Sequence, residues 1–487
     1  FIFICNNDHL ESTNMRNILE SICPKGKIIG IESHKKGPVY AVSKVFDYID
    51  DDEPVFVNYC DFCCYWDYIH LKKLLDTGLF DGIVPAYKNF HPHSLRNNNY
   101  AFMRVKDNLL LEIKEKESFT ENKINEFASS GTYFFKKGLF IKKYFSEIIK
   151  EDIQVNNEYY CSLVYNLMLR DNLKIGVYEL EHFMQWGTPN DLREYNQWSE
   201  IFNKLNSKII NQKEYKLTTL LTMAGKGSRF KSLGYSSPKP LIEVSQKPMI
   251  LRALSCLPKS KEYRFVCQKE LLENSNIEEE IRANYPYSLF VNLDKYTNGQ
   301  AISALYGIKD MHDNEAITIS ACDHGMFFNG KEFEKIFFDK NVDIIVWACK
   351  WHPPAIQHPN MYSWLKVDNS NFVIDVSLKK AFNESTKNPL LIGTFTFKKK
   401  EDLVNSINSM IKRKGLVNNE YYIDGCILDA IKIGLKVKVF YIDNFLCWGT
   451  PDELKTFEYW QTCFNKWEYH PYKWVNDSWN PKKNKSS

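Results

Sequence analysis

Along the second half of the chain, short apolar runs rich in β-formers alternate with longer stretches in which apolar residues recur at helical spacing. LTTLLTM (217–223), AITISAC (316–322), VDIIVWAC (342–349) and KVKVFYI (436–442) read as strands. NIEEEIRANY (276–285), GKEFEKIFFDK (330–340) and EDLVNSINSMIKRK (401–414) read as helices. Near-continuous apolar strands separated by amphipathic helices predict a largely parallel sheet covered by helices on both faces. In such sheets ligands gather at the carboxyl ends of the strands.

The pattern repeats. NYCDF and SACDH place Asp61 and Asp323 after similar runs, 262 residues apart. SGTYFFKKG and IGTFTFKKK set Gly131 against Gly393, NNEYY recurs at Asn156 and Asn418, and QWGTPNDL at Gln185 answers CWGTPDEL at Cys447, all at the same 262-residue offset. Four matches at one spacing imply a tandem duplication. The first copy is expected over residues 1–203, a polar link over 204–217, the second copy over 218–467 and a tail over 468–487. The tail is aromatic, then polar and basic, and its end is expected to be disordered. FIFICNNDHL corresponds to YRFVCQKELL in the second copy, so the counterpart of the stretch that opens copy two is expected before Phe1.

Composition narrows the picture modestly. The 63 basic and 60 acidic residues nearly cancel, leaving +3, which predicts no attraction to nucleic acid or acidic membranes. No apolar run reaches the roughly 20 residues that span a bilayer. Thirteen cysteines among apolar neighbours are expected to be reduced and mostly buried, in a cytoplasmic protein. The single CxxC, Cys60 to Cys63, has no second pair to complete a zinc site.

The candidate chemistry lies in MAGKGSRFKSLGYSSPKPLIEV, Met223 to Val244. Gly225 and Gly227, in a turn between strand and helix, let backbone N–H groups approach phosphate oxygens, and a helix dipole adds to the attraction. Arg229 contributes delocalised positive charge. Lys239 is fixed between Pro238 and Pro240. The stretch is neither a Walker loop, which needs GK[ST], nor a dinucleotide fingerprint, which would need glycine at Phe230.

GKGSRF…SPKPLIEVSQKPMI, followed in order by TNGQA, ACDH, IGTFTF, NNEYY and WGTPDEL, resembles the sugar nucleotidyltransferases, the nucleotide-diphosphate-sugar pyrophosphorylases. The resemblance implies two tandem Rossmann-like α/β/α nucleotidyltransferase domains with mostly parallel sheets. It also implies attack by a sugar 1-phosphate on the α-phosphate of an NTP with loss of pyrophosphate, in service of surface polysaccharide synthesis. On that analogy Ala224, Gly225 and Gly227 hold the NTP, Arg229 stabilises the departing pyrophosphate and Lys239 bridges the phosphates being joined. Asp323 would hold Mg²⁺, Gly299 and Gln300 would read the base, and Lys379, Gly393 and Glu420 would meet the acceptor. The implied partners are an NTP and a phosphorylated substrate, with neither nucleic acid nor membrane; a homo-oligomer stays open.

One departure touches the metal. The resemblance implies a second Asp or Asn two residues before the glycine of WGT, and Cys447 stands there, with Gln185 in copy one. Cysteine is a poor magnesium ligand; Asp443 is the nearby carboxylate that would replace it. Copy one is eroded at the base-reading segment, where TNGQA becomes KKGPV and Pro38 replaces the amide, while Asp61, Gly131 and Glu158 persist. Copy one is either a site for another substrate or an assembly module. Alternatives for copy two are a cytidylyltransferase for a non-sugar phosphate such as phosphocholine, and a glycosyltransferase of related fold. The second lacks its Asp-x-Asp, since His324 and Gly325 follow Asp323.

Overall fold

A computed structural model describes residues 1–96, 99–207, 213–225, 227–382 and 388–482. The chain forms two compact units, Phe1–Tyr195 and Asn196–Ser487. Residues 208–212 of the expected link, and the tail end at 483–487, lie outside the described residues.

In the second unit the main sheet runs in the order Leu289–Leu293, Lys259–Gln268, Glu214–Met223, Ile317–Ser320, Leu390–Phe397, Ile344–Cys349, Val437–Tyr441. Neighbours along this path are parallel, except the two pairings made by Leu390–Phe397. Alternation along one strand shows why both faces are dry. Ile344, Val346 and Ala348 point into one apolar cluster, and Ile345, Trp347 and Cys349 into another. A period of two with both phases apolar requires cover on both sides. Helix Gly330–Phe337 supplies Phe333 against Trp347, and helices Lys400–Lys412 and Ile423–Lys432 bring Leu403, Ile407 and Ile427 to the opposite face.

The first unit keeps the parallel pairing of Ile175–Glu179 with Gly82–Tyr87, while the other pairings of its seven-stranded sheet are antiparallel. Ile2–Asn6 and Lys27–Ile31 pair in parallel as a two-stranded sheet of their own. Their counterparts in the second unit, Lys259–Gln268 and Leu289–Leu293, join the main sheet through Glu214–Met223.

Strand registers in the two units repeat at the sequence offset. Ile2 pairs with Lys27 as Arg264 does with Leu289, and Val55 with Phe135 as Ile317 does with Phe397. Phe62 faces Gln185 as His324 faces Cys447. In all three cases each residue stands 262 positions after its counterpart. Register is a demanding observable, because a slip of one residue would turn every side chain to the other face.

The tail is built into the second unit. Arg252, buried, donates from Nε to the Val244 carbonyl (2.9 Å) and from Nη2 to the Trp479 carbonyl (2.7 Å). Its guanidinium lies 4.7 Å from the Trp479 ring centre, and Trp479 packs against Trp448. Trp448 belongs to the loop that carries the candidate site, so the tail braces that loop from behind.

Candidate functional site

Strands Glu214–Met223 and Ile317–Ser320 are parallel neighbours, so the chain leaves both at the same edge of the sheet. After the first comes the glycine turn. Gly225 is exposed, with open space where a side chain would be. Gly227 adopts φ +61, a left-handed conformation that glycine takes without a Cβ penalty, and Lys226 between them lies outside the described residues. The helix that follows, Ser228–Lys231, is a single turn. The dipole expected to assist phosphate binding is therefore short. Ala224 is partly buried against the core.

Lys239 sits in a 3-10 turn, Lys239–Leu241, with Pro238 at φ −53 and ψ 141 before it. A Cβ built on Gly227 would lie 3.3 Å from Lys239 Cβ, so the glycine loop and the lysine turn are in contact. The ammonium is 5.6 Å from the Phe230 ring centre, donates to Asp323 Oδ2 at 2.5 Å and reaches the Gly449 carbonyl at 3.2 Å. Two motifs 84 residues apart in sequence, and a third from the WGTP loop, thus meet at one nitrogen.

Asp323 is fixed from both sides. The strands His324–Phe327 and Asn444–Cys447 pair antiparallel immediately after it, and the Trp448 N–H donates to the Asp323 carbonyl (2.9 Å). His324 Nδ1 lies 3.5 Å from Asp323 Oδ1, while its Nε2 bonds Thr394 Oγ1 (2.9 Å). Burial by itself would raise the Asp323 carboxyl, but the adjacent Lys239 ammonium and the His324 contact outweigh it and hold the group far below the ordinary carboxylate range. For Lys239, burial pulls the ammonium down and Asp323 pushes it up, with a net rise. Both groups are charged near neutrality. Side-chain exposures of 17% and 22% leave them reachable by a ligand.

The acceptor and base candidates are drawn together by backbone geometry. Gly299 has φ +112, and a Cβ there would come within 2.6 Å of both the backbone nitrogen and oxygen of Tyr421. Tyr421 N–H donates to the Asn298 carbonyl (2.7 Å) and Ala301 N–H to the Tyr421 carbonyl (3.0 Å), so TNGQA is bonded directly to NNEYY. Gln300 opens the helix Gln300–Gly307. Glu420 is exposed and bonds Tyr422, whose hydroxyl is pushed up to about 12 by burial first and Glu420 second. Lys379 (φ +50) donates to the Met361 carbonyl (2.7 Å) and lies 5.9 Å from the Tyr422 ring centre. The Arg229 charge slightly opposes the rises of both Tyr422 and Lys239. Gly393, φ +78, faces His324 Cε1 at 3.8 Å from its built Cβ.

The groups beside Asp323 that could hold a metal differ from the sequence expectation. Asp443 sits at the far end of strand Asn444–Cys447, about 13 Å of extended chain from Cys447. Its carboxylate faces Lys204 Nζ (3.5 Å), so it does not stand in for the missing ligand. Glu453, from the first turn of helix Pro451–Lys466, comes close instead. A Cβ built on Gly449 would lie 3.4 Å from Asp323 Oδ2, 3.4 Å from Glu453 Oε2 and 3.6 Å from Cys447 Sγ, so three donors ring one small space that only glycine leaves open. The Asp323 carboxylate is a donor for a hard cation, whereas the Cys447 thiol beside it is not. Sequence reasoning missed Glu453 and its neighbour His352. Thr450-x-x-Glu453 has the form of a helix capping box, and the Glu453 N–H donates to Thr450 Oγ1 (3.2 Å) as that motif requires.

The first unit has the same frame with different chemistry. Trp186 N–H donates to the Asp61 carbonyl (2.8 Å), and Gly37 (φ +83) packs on the backbone of Tyr159. Asp191, in the place of Glu453, receives the Gln185 amide (2.6 Å) and the Arg96 guanidinium.

No family model and no curated protein matches the chain. Among solved structures it is similar to a nucleoside-diphosphate-sugar pyrophosphorylase from Vibrio cholerae RC9 (17% identity, TM-score 0.41), covering 50% of this chain and 99% of that one. It is also similar to an inositol-1-phosphate CTP transferase from T. maritima (15%, TM-score 0.41; 52% and 98% covered). A third is a UDP-glucose pyrophosphorylase complexed with UDP-glucose (16%, TM-score 0.41; 52% and 100% covered). Among the described residues, no helix is long and apolar enough to cross a membrane.

Proposed function

We propose that the second unit is a nucleotidyltransferase: it transfers a nucleoside monophosphate from an NTP to a sugar 1-phosphate, or to a similar phosphorylated group, and releases pyrophosphate. The observation that carries this reading is the convergence of the glycine turn, Lys239, Asp323 and the Gly449 loop at the carboxyl ends of two parallel strands. In this reaction an oxygen of the acceptor phosphate attacks the α-phosphorus in line. The bond from that phosphorus to the oxygen bridging it to the β-phosphorus breaks, and its electrons leave with pyrophosphate. The nucleophile is already anionic, so no general base is needed and the work is positioning and charge neutralisation.

Gly225 and Gly227 present backbone N–H groups to the triphosphate. Arg229 meets the departing pyrophosphate. Lys239 moves from Asp323 and Gly449 to the phosphates being joined, a short excursion because its stem is already anchored beside Gly227. Asp323, with phosphate oxygens, would hold Mg²⁺, which supplies further neutralisation of the phosphates when bound. Gly299 and Gln300 read the base, and Gly393, Glu420 and Lys379 meet the acceptor. The first unit, with Pro38 in place of the amide and Arg96 against Asp191, serves assembly or regulation. A product destined for surface polysaccharide, made in the cytoplasm, rests on the sequence resemblance alone. Incubation with NTPs labelled at the α-phosphate tests the reading. Label should move into an acceptor-linked diphosphate; label recovered only as free monophosphate would overturn it.

A further inference from the structure

The hairpin end beside Asp323 carries a second constellation that nucleotidyl transfer does not use. A ring nitrogen of His352, the Cys447 sulfur and a Glu453 carboxylate oxygen lie within 4.8 Å of one another. They come from three separate elements: the start of helix Pro353–Gln357, the end of strand Asn444–Cys447 and the first turn of helix Pro451–Lys466. We propose that His352, Cys447 and Glu453 form a binding site for a soft divalent cation of the zinc class, with its open coordination position toward Asp323.

Three independent features support this assignment. His352 is 5% exposed, and neither of its ring nitrogens has a hydrogen-bond partner. The nearest carboxylate oxygen, on Glu453, is 3.9 Å from Nε2, too long for a hydrogen bond. A buried imidazole with both nitrogens idle is costly unless something else satisfies it. Second, the donor set is nitrogen, sulfur and oxygen, which suits zinc and not magnesium. Third, the space at Gly449 is ringed by Cys447 Sγ, Glu453 Oε2 and Asp323 Oδ2, all within 3.6 Å of one point. Tetrahedral bond lengths put ligand atoms about 3.4 Å apart, so the longest separation must close by little more than about an ångström. Three protein ligands with a fourth position free is the pattern of a zinc ion that takes an outside ligand.

Outer contacts hold the donors in place. Tyr362 OH donates to Glu453 Oε1 (2.9 Å), Thr450 Oγ1 to Glu453 Oε2 (2.9 Å), and the His352 ring packs on Phe445 (5.0 Å between centres). The first unit is an internal contrast. There Gln185 replaces the thiol, and Asp191 is closed off by the Gln185 amide, the Thr188 N–H (2.9 Å) and the Arg96 guanidinium. A guanidinium sits where the second unit has no described lysine or arginine paired to Glu453.

The test uses the full chain, stripped by chelation, with cobalt(II) as a spectroscopic probe and no nucleotide, so its outcome is separate from that of the nucleotidyl-transfer reading. One cobalt should bind per chain with a thiolate-to-metal charge-transfer band, displaced by zinc and unaffected by excess magnesium. Cys447→Ser and His352→Asn should weaken binding by more than about a hundredfold, beyond what loss of an outer contact costs. Gly449→Ala, whose methyl makes only ordinary contacts, should fold and still weaken binding by filling the space. Cys60→Ser, an exposed thiol in the first unit, should change nothing. In the unaltered protein zinc should slow alkylation of Cys447 by at least about tenfold, since a metal-bound thiolate is withdrawn from reaction. Absence of the band, its persistence in Cys447→Ser, or equal alkylation with and without zinc would overturn the proposal.

Discussion

Replacing Lys239 with Met keeps the stem that packs beside Phe230 and removes only the ammonium. Asp323 then faces the Gly449 carbonyl without its cation. At 2.5 Å and an effective dielectric constant of about 20 the Coulomb attraction is about 7 kcal/mol, most of which is offset by desolvation of the two ions. Truncating one partner of a buried pair costs about 3–5 kcal/mol; exposures of 17% and 22% lower this to about 2–3 kcal/mol. Asp323→Asn should cost a similar amount, and the double variant less than the sum, with a coupling of about 2 kcal/mol. Denaturant melts of the parent, both single variants and the double variant measure it. The carboxyl is held far below its ordinary value, so its contribution is complete above about pH 4 and is lost only on further acidification. The cycle therefore belongs at neutral pH. In the same proteins, loss of the ammonium should slow pyrophosphate release by about 10²–10³, the usual effect of removing one preorganised donor. Stability effects that add to within about 0.5 kcal/mol would refute the pairing. A Lys239→Met enzyme within about threefold of the parent would refute its role at the phosphates.

Three further outcomes follow from particular contacts. Gly299→Ala forces a side chain into the Tyr421 backbone at a φ of +112, and should cost about 3–5 kcal/mol and lower the second unit's Tm by about 10 °C; a shift under about 2 °C would contradict the packing. Glu115, buried in the first unit and bonded to Ser162 Oγ (2.6 Å), has its carboxyl pushed up to about 7, burial being the largest cause. The folded protein then keeps a proton that the unfolded chain releases from about pH 4.5. Stability therefore falls by up to about 3 kcal/mol between pH 4.5 and 7, and Glu115→Gln should flatten that slope in thermal melts and raise Tm at pH 8. Arg252→Met strips donors from the Val244, Ser245 and Trp479 carbonyls and should cost about 3 kcal/mol; limited proteolysis should then cut within 469–482, sites that stay closed in the parent.

The residues that meet at Lys239 were legible one by one because their signals are local. Glycines at a strand exit and a lysine between prolines constrain backbone wherever they occur, and motifs recurring at a 262-residue offset pointed to the strand end that each follows. The segment expected to read the base was named from the resemblance alone; the reason Gly299 stands there, a φ of +112 against the Tyr421 backbone, came only with the structure. The cluster of His352, Cys447 and Glu453 was not legible, because their meeting depends on how three separate elements come together. His352 stands in an ordinary WHPP stretch, and Glu453 carries a capping-box spacing that explains it without reference to function. Asp443 looked like a replacement ligand because it is four residues from Cys447; strand geometry sends it to the other end of the hairpin. Arg96, which closes off Asp191 in the first unit, is 95 residues away from it and belongs to no motif. The short helix after Gly227 was also hidden: the composition of SRFKSLG allows either one turn or several, and the helix stops at Lys231.

Pyrophosphate release across the common NTPs, with a panel of sugar 1-phosphates and phosphocholine, tests the account most directly when Asp323→Asn is run beside the parent. The account predicts release for at least one pair in the parent and its loss in the variant. No release with any pair, or release that survives Asp323→Asn, would contradict it.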